Sequence, residues 1–117
     1  MAPLPALYVS HGSPMTALSP GRVGVRLAEL ARDLPRPRAI VVASAHWLAA
    51  RPQVGGAAQP QTVHDFGGFP EALYALRYPA PGDPALAQDI AARLGAAGLP
   101  AQVDPQRGLD HGVWVPL

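Results

Sequence analysis

The chain has 117 residues with nine basic and eight acidic side chains, a net charge of +1, and no cysteine. The near-balance gives no clustered basic surface for nucleic acid, and the lack of Cys excludes disulfides and thiolate metal sites. A 49% hydrophobic share is that of a globular chain, and 15 Pro with 12 Gly make it rich in loops.

From the N-terminus, Leu4–Ser10 (LPALYVS) predicts a short buried strand that ends in the turn-forming His11-Gly12-Ser13-Pro14. Val23, Leu27, Leu30 and Leu34 recur at helical spacing, and Pro35 and Pro37 stop that helix. Ala39–Ser44 (AIVVAS) is a continuous apolar, β-branched run that suits a central strand covered on both faces, again followed by a histidine, His46. A weaker strand is expected over Gln53–Ala57, then a glycine-bearing loop over Thr62–Pro70. Pro70–Leu76 predicts a short helix, and Asp83 with Pro84 caps another that runs to about Ala97, with Gly98 ending it. Ala101–Asp104 suits a further strand. Gly108–Gly112 is a turn, after which a helix could start. Strands alternating with helices give an α/β layered fold, one domain over residues 1–117.

The longest apolar stretch, Ala39 to Ala50, is about twelve residues, whereas a membrane span needs about 20. No basic segment precedes an apolar core at the N-terminus, so a secretory signal is not expected and a cytoplasmic location is. The final Trp114-Val115-Pro116-Leu117 is apolar and without a polar tail, and it reads as a cut end.

With Cys absent, the four histidines carry the chemistry. His11 and His46 each follow a predicted core strand, and ligands bind outside the carboxyl ends of strands in open α/β sheets. If the strands are parallel neighbours, two neutral imidazoles could meet there as metal ligands. The plainer reading is two unrelated loop histidines. His64 lies in Val63-His64-Asp65-Phe66-Gly67-Gly68-Phe69-Pro70, where Asp65 could orient an imidazole. An Asx-turn followed by core aromatics is the preferred reading of that segment taken alone. His111 follows Asp110, a candidate helix N-cap, and the helix dipole there would keep its ring neutral and able to act as a base. A surface histidine in a capping turn is the alternative. Arg22, Arg51 and Arg77 are read as solvated charges, with pairing to a substrate carboxylate the alternative.

Taken together the segments are more specific. Val9-Ser10-His11-Gly12-Ser13-Pro14-Met15, Val41-Val42-Ala43-Ser44-Ala45-His46-Trp47, His64-Asp65-Phe66-Gly67-Gly68-Phe69-Pro70-Glu71, Tyr78-Pro79-Ala80-Pro81-Gly82-Asp83-Pro84 and Leu109-Asp110-His111-Gly112-Val113-Trp114 occur in this order. In that order and spacing the chain resembles the N-terminal half of a DODA-type extradiol ring-opening dioxygenase, in the superfamily of the protocatechuate 4,5-dioxygenase catalytic subunit. The resemblance covers Leu7 to Leu117.

It implies an α/β domain around a mononuclear non-haem Fe(II), with zinc in some members, that cuts a catechol ring with O₂. It also implies His11 and His46 as two of three metal ligands. His111 matches a catalytic histidine at the substrate hydroxyl, and His64 a segment beside the substrate pocket. The third ligand and a further acid/base histidine have no match in this chain. The expectation is therefore a fragment of a larger enzyme, with an exposed strand edge and apolar face and an unreadable oligomeric state. Two other readings stay open: an inactive fragment or binding module of the same fold, and a zinc-dependent hydrolase using the same histidine pair. The expected partners are a small catechol and O₂, with neither nucleic acid nor membrane.

Overall fold

Residues 3–117 are described by a computed structural model. The first ordered element is a 3₁₀ turn over Pro14–Ala17, opened by Ser13, whose hydroxyl accepts the Met15 N–H at 3.2 Å. Helix α1 (Gly21–Asp33) follows, then strand β1 (Gln53–Gly55), helices α2 (Glu71–Tyr74) and α3 (Pro84–Ala96), strand β2 (Gln102–Asp104) and helix α4 (His111–Trp114).

Strands β1 and β2 pair in parallel, Gln53 opposite Gln102, Val54 opposite Val103 and Gly55 opposite Asp104. Parallel neighbours need a crossover between them. Here that crossover contains α3, which packs against both strands and buries Ala87. As expected, α3 starts on the Asp83 carboxylate, which accepts the Leu86 N–H at 2.9 Å, with Pro84 in its first turn. It ends before Gly98, whose φ of +84° is the left-handed conformation that closes helices. Beyond β1 and β2 the parallel pairing resumes as a single bridge between Thr62 and Leu109. There the Val63 N–H donates to the Leu109 carbonyl at 2.8 Å, and the Leu109 N–H to the Gln61 carbonyl at 2.7 Å.

The core lies at this end of the molecule. Leu73 of α2 is fully buried against Trp114 and Val115, with Met15, Phe66, Phe69 and Tyr78 packed around them. The Trp114 indole N–H donates to the Val63 carbonyl at 2.8 Å, which satisfies the one polar atom of a buried ring.

Two predicted strands are not formed. Leu4–Ser10 and Ala39–Ser44 carry no strand structure. Most of their apolar side chains, Leu7, Tyr8, Val9, Ile40, Val41 and Val42 among them, are exposed. An apolar β-branched run supplies side chains for a strand, but a strand exists only through a hydrogen-bonded neighbour. Among the described residues nothing pairs with either segment. The other elements hold with shifted ends: α1 begins at Gly21 rather than Val23, β1 stops at Gly55, and α2 covers only Glu71–Tyr74. The apolar stripe of α1 buries no residue, so the expected open apolar face is present. Among the described residues no helix is long and apolar enough to cross a membrane.

Candidate metal centre

Two loops and a helix start deliver three of the histidines. His11 stands between the 3–10 segment and the Pro14–Ala17 turn, and Gly12, at φ +65°, makes the bend a side chain would oppose. His46 follows a tight turn in which the Ser44 hydroxyl accepts the His46 N–H at 3.1 Å. His111 is the first residue of α4, directly after its cap Asp110, whose carboxylate accepts the Gly112 N–H at 2.9 Å. The cap expected from the sequence is thus in place.

One ring nitrogen from each of His11, His46 and His111 lies within 4.8 Å of the others. The Nε2 atoms of His11 and His46 face each other at 2.8 Å. Two facing imidazole nitrogens can share a proton, one donating to the other, or turn both lone pairs to a shared cation. His111 lies against His46 with ring centroids 4.0 Å apart and planes 36° from parallel, and meets His11 edge-on at 4.8 Å. Burial is graded: His111 is buried, His11 half-buried and His46 exposed.

The electrostatics suit nitrogen ligands. Burial, together with the neighbouring His111 and His46 rings, lowers the His11 pKa below its ordinary 6.5. The ring is therefore neutral at physiological pH, as a ligand must be. Its buried Nδ1 has no hydrogen-bond partner. Imidazole donors without thiolates suit iron, zinc and similar divalent ions, so the donor set fits such a metal.

Asp65 supports the cluster from the other side. Its Oδ1 accepts the His111 backbone N–H at 2.9 Å. The His111 Nδ1 is also 2.9 Å from this oxygen, but out of line for a ring N–H, so this second contact is electrostatic. Burial pushes the Asp65 carboxyl up, and the contacts with the His111 backbone and ring outweigh that and hold it below the usual carboxylate range. Asp65 therefore serves His111, 46 residues away, rather than its neighbour His64.

His64 is not among the three. Its Nε2 donates to the Leu76 carbonyl at 2.8 Å, and its ring stands in an aromatic group with Trp114, Phe66 and Tyr74 at 5.4–6.2 Å. Phe66 links this group to the cluster, edge-on to His111 at 5.7 Å. Arg77 donates to the Tyr74 and Leu76 carbonyls, so it is engaged by backbone.

Sequence reading missed Ser44 and Arg107. The Ser44 hydroxyl donates to Asp110 Oδ1 at 2.7 Å, and the Arg107 guanidinium meets Asp110 Oδ2 at 3.3 Å while lying 4.7 Å above the Trp47 ring. These contacts satisfy a carboxylate that is only 2% exposed. Ser44 was hidden inside an apolar run, and a lone arginine in a turn has no spacing signal.

Residues 5–117 match the family model described as the catalytic LigB subunit of aromatic ring-opening dioxygenase. The chain is 48% identical over 112 residues to the 4,5-DOPA dioxygenase extradiol of Escherichia coli (strain K12), covering 95% of this chain and 41% of that protein. It is 41% identical over 114 residues to the 4,5-DOPA dioxygenase extradiol of Beta vulgaris, covering 94% and 42%. To dioxygenase tasH of Hapsidospora irregularis it is 42% identical over 126 residues, covering 97% and 39%. The chain thus spans about two fifths of the length of these curated relatives, rather less than the half expected.

Proposed function

The chain belongs to the family of the catalytic LigB subunit of aromatic ring-opening dioxygenase, and on that premise we propose that it supplies two iron ligands and a catalytic histidine to an extradiol dioxygenase. The reaction adds both atoms of O₂ to a catechol and breaks the ring bond beside the two hydroxyls. The product is a ring-opened acid carrying an aldehyde or ketone.

The observation that carries this reading is the meeting of three imidazoles from positions 11, 46 and 111. His11 and His46, whose Nε2 atoms face each other, would hold the metal, and zinc would suit the same donors. Bound there, ferrous iron supplies the electron transfer that lets triplet O₂ react with a singlet aromatic. His111 is read as the base. Its ring lies alongside that of His46, with centroids 4.0 Å apart, and the family resemblance gives this position the catalytic rather than the ligand role. It would take the proton of a catechol hydroxyl, and the Asp65 carboxylate, 2.9 Å from its Nδ1, would stabilise the imidazolium that results. His64 serves the substrate side through the aromatic wall it shares with Phe66. A cytoplasmic location, where iron stays reduced, suits this chemistry.

The test is anaerobic loading of that dioxygenase, the whole protein to which this segment contributes, with Fe(II), followed by a catechol and O₂. DOPA is the first catechol to offer, since relatives carry that name. One O₂ consumed per yellow ring-fission product, with both oxygen atoms recovered in it, is the expected result. Absence of stoichiometric Fe(II) uptake, or uptake unaffected by His11→Ala and His46→Ala, would overturn the assignment of the ligands.

A further inference from the structure

The histidines that meet at the centre come from segments with no pairing between their backbones, and something must hold His46 against His111. We propose that Ser44 is a positioning residue that clamps these two imidazoles together through a single carboxylate oxygen of Asp110. The proposal deepens the metal-site reading and rests on it for its consequence in metal binding, though the clamp itself is a property of the folded chain.

Three hydrogen bonds make the clamp. The Ser44 hydroxyl accepts the His46 N–H at 3.1 Å, which sets the turn that presents His46. The same hydroxyl donates its proton to Asp110 Oδ1 at 2.7 Å. That oxygen also accepts the Gly112 N–H at 2.9 Å, which sets the first turn of α4 and hence His111. A hydroxyl is the smallest group able to accept on one side and donate on the other. The second Asp110 oxygen is engaged by Arg107 at 3.3 Å, so the carboxylate cannot rotate freely away. The fit is also steric: a Cβ on Gly112 would stand 2.6 Å from Ser44 Oγ and 2.9 Å from His46 Cδ2. The two segments touch at the one residue of α4 that has no side chain.

Buried charge-assisted hydrogen bonds are short and directional, which makes such a link a positioning device rather than general adhesion. Groups that orient metal-binding histidines typically change metal affinity by about 10–100-fold when removed. Ser44 touches neither a substrate nor a metal in this reading. It acts through His46 and His111.

The experiment uses the full chain, histidine-labelled, as the Ser44→Ala and Ser44→Thr variants. Imidazole carbon–proton NMR spectra are recorded metal-free at about pH 8, above the ordinary imidazole pKa of about 6.5. Ser44→Ala is expected to shift the His46 and His111 ring signals and to leave His64, packed among the aromatics, in place. Ser44→Thr, which keeps the hydroxyl, is expected to return them towards the parent positions. Co(II) affinity should follow the same order, with a fall of about 10–100-fold for Ser44→Ala. Unmoved His46 and His111 signals in Ser44→Ala would overturn the proposal. So would loss of its far-UV circular dichroism, which would make the hydroxyl a requirement of the fold. If the parent chain takes up no Co(II), the metal reading fails, and the metal-free spectra still decide the clamp.

Discussion

Gly112→Ala sets two well-known effects against each other, and the structure says which should win. Gly112 lies in α4 and its φ is outside the left-handed region, so alanine has no backbone conflict there. Helix propensity alone would make the change stabilising by about 0.8–1 kcal/mol. The new methyl, however, would stand 2.6 Å from Ser44 Oγ, 2.9 Å from His46 Cδ2 and 3.0 Å from Asp110 Oδ1, where ordinary contact begins at 3.4 Å. These neighbours would have to give by about 0.4–0.8 Å. Two of the three are held in hydrogen bonds, so they cannot simply swing aside. Overpacking of this kind costs about 1–3 kcal/mol. The net expectation is a loss of up to about 2 kcal/mol, which for a domain of this size lowers the melting midpoint by up to about 10 °C. The His46 ring is exposed and held by its contacts with the His11 and His111 rings rather than by a buried carboxylate, so it should be the one displaced, with metal uptake falling in consequence. Thermal melting followed through the buried Trp114, together with Co(II) titration, reads both effects. A variant that melts above the parent and binds Co(II) unchanged would refute the close approach of the two segments.

Three further outcomes follow from the same geometry. The His11 ring should titrate below 6.5 in the metal-free chain, as read by NMR, because burial and two neighbouring imidazoles oppose its charge. Since the unfolded chain then binds that proton more tightly, the stabilisation from a neutral His11 is complete above pH 6.5 and is lost as pH falls through the lower folded value. A titration at or above 6.5 would count against the cluster. His64→Phe should leave Co(II) affinity unaltered, because His64 lies outside the three-histidine group, while removing a bond to the Leu76 carbonyl and lowering stability by about 1 kcal/mol. Leu73→Ala, at a fully buried position in the core, should cost about 2–5 kcal/mol in denaturant unfolding.

What could be read from the sequence divides along the range of the interactions. Helix α3 was legible to its ends because its determinants are local: Asp83 bonds three residues ahead and Gly98 sits just past its last turn. Helix α1 was legible from Val23, Leu27 and Leu30, although periodicity could not say that this stripe would bury nothing. The two apolar runs at Leu4–Ser10 and Ala39–Ser44 misled because apolar content describes what a strand needs and not whether a neighbour supplies it. At the site, neither spacing nor composition brings His11 and His46 together across 35 positions. That expectation rested on the family resemblance, and the two Nε2 atoms do face each other. His111 was expected beside a substrate hydroxyl, and its ring lies against the other two. The service of Asp65 to His111 rather than His64 is a long-range contact that no local pattern encodes.

The parallel pairing has a consequence for the order in which this molecule is built. Gln53 meets Gln102 across 49 positions, and Thr62 meets Leu109 at a nearly equal offset. The two pairings therefore act as one zipper. His111 lies two residues past the second of them, so the closure that forms the sheet also carries this ring to its place. Closing a loop of that length has an entropic cost before any contact repays it, and such long-range pairings form slowly. Until the zipper closes, the chain holds scattered imidazoles and no centre. Slippage by one residue would turn every strand side chain to the opposite face and bring Asp110 or Gly112 where His111 belongs. The appearance of the three-histidine cluster should thus be a late event in folding, and a sensitive reporter that the register is correct.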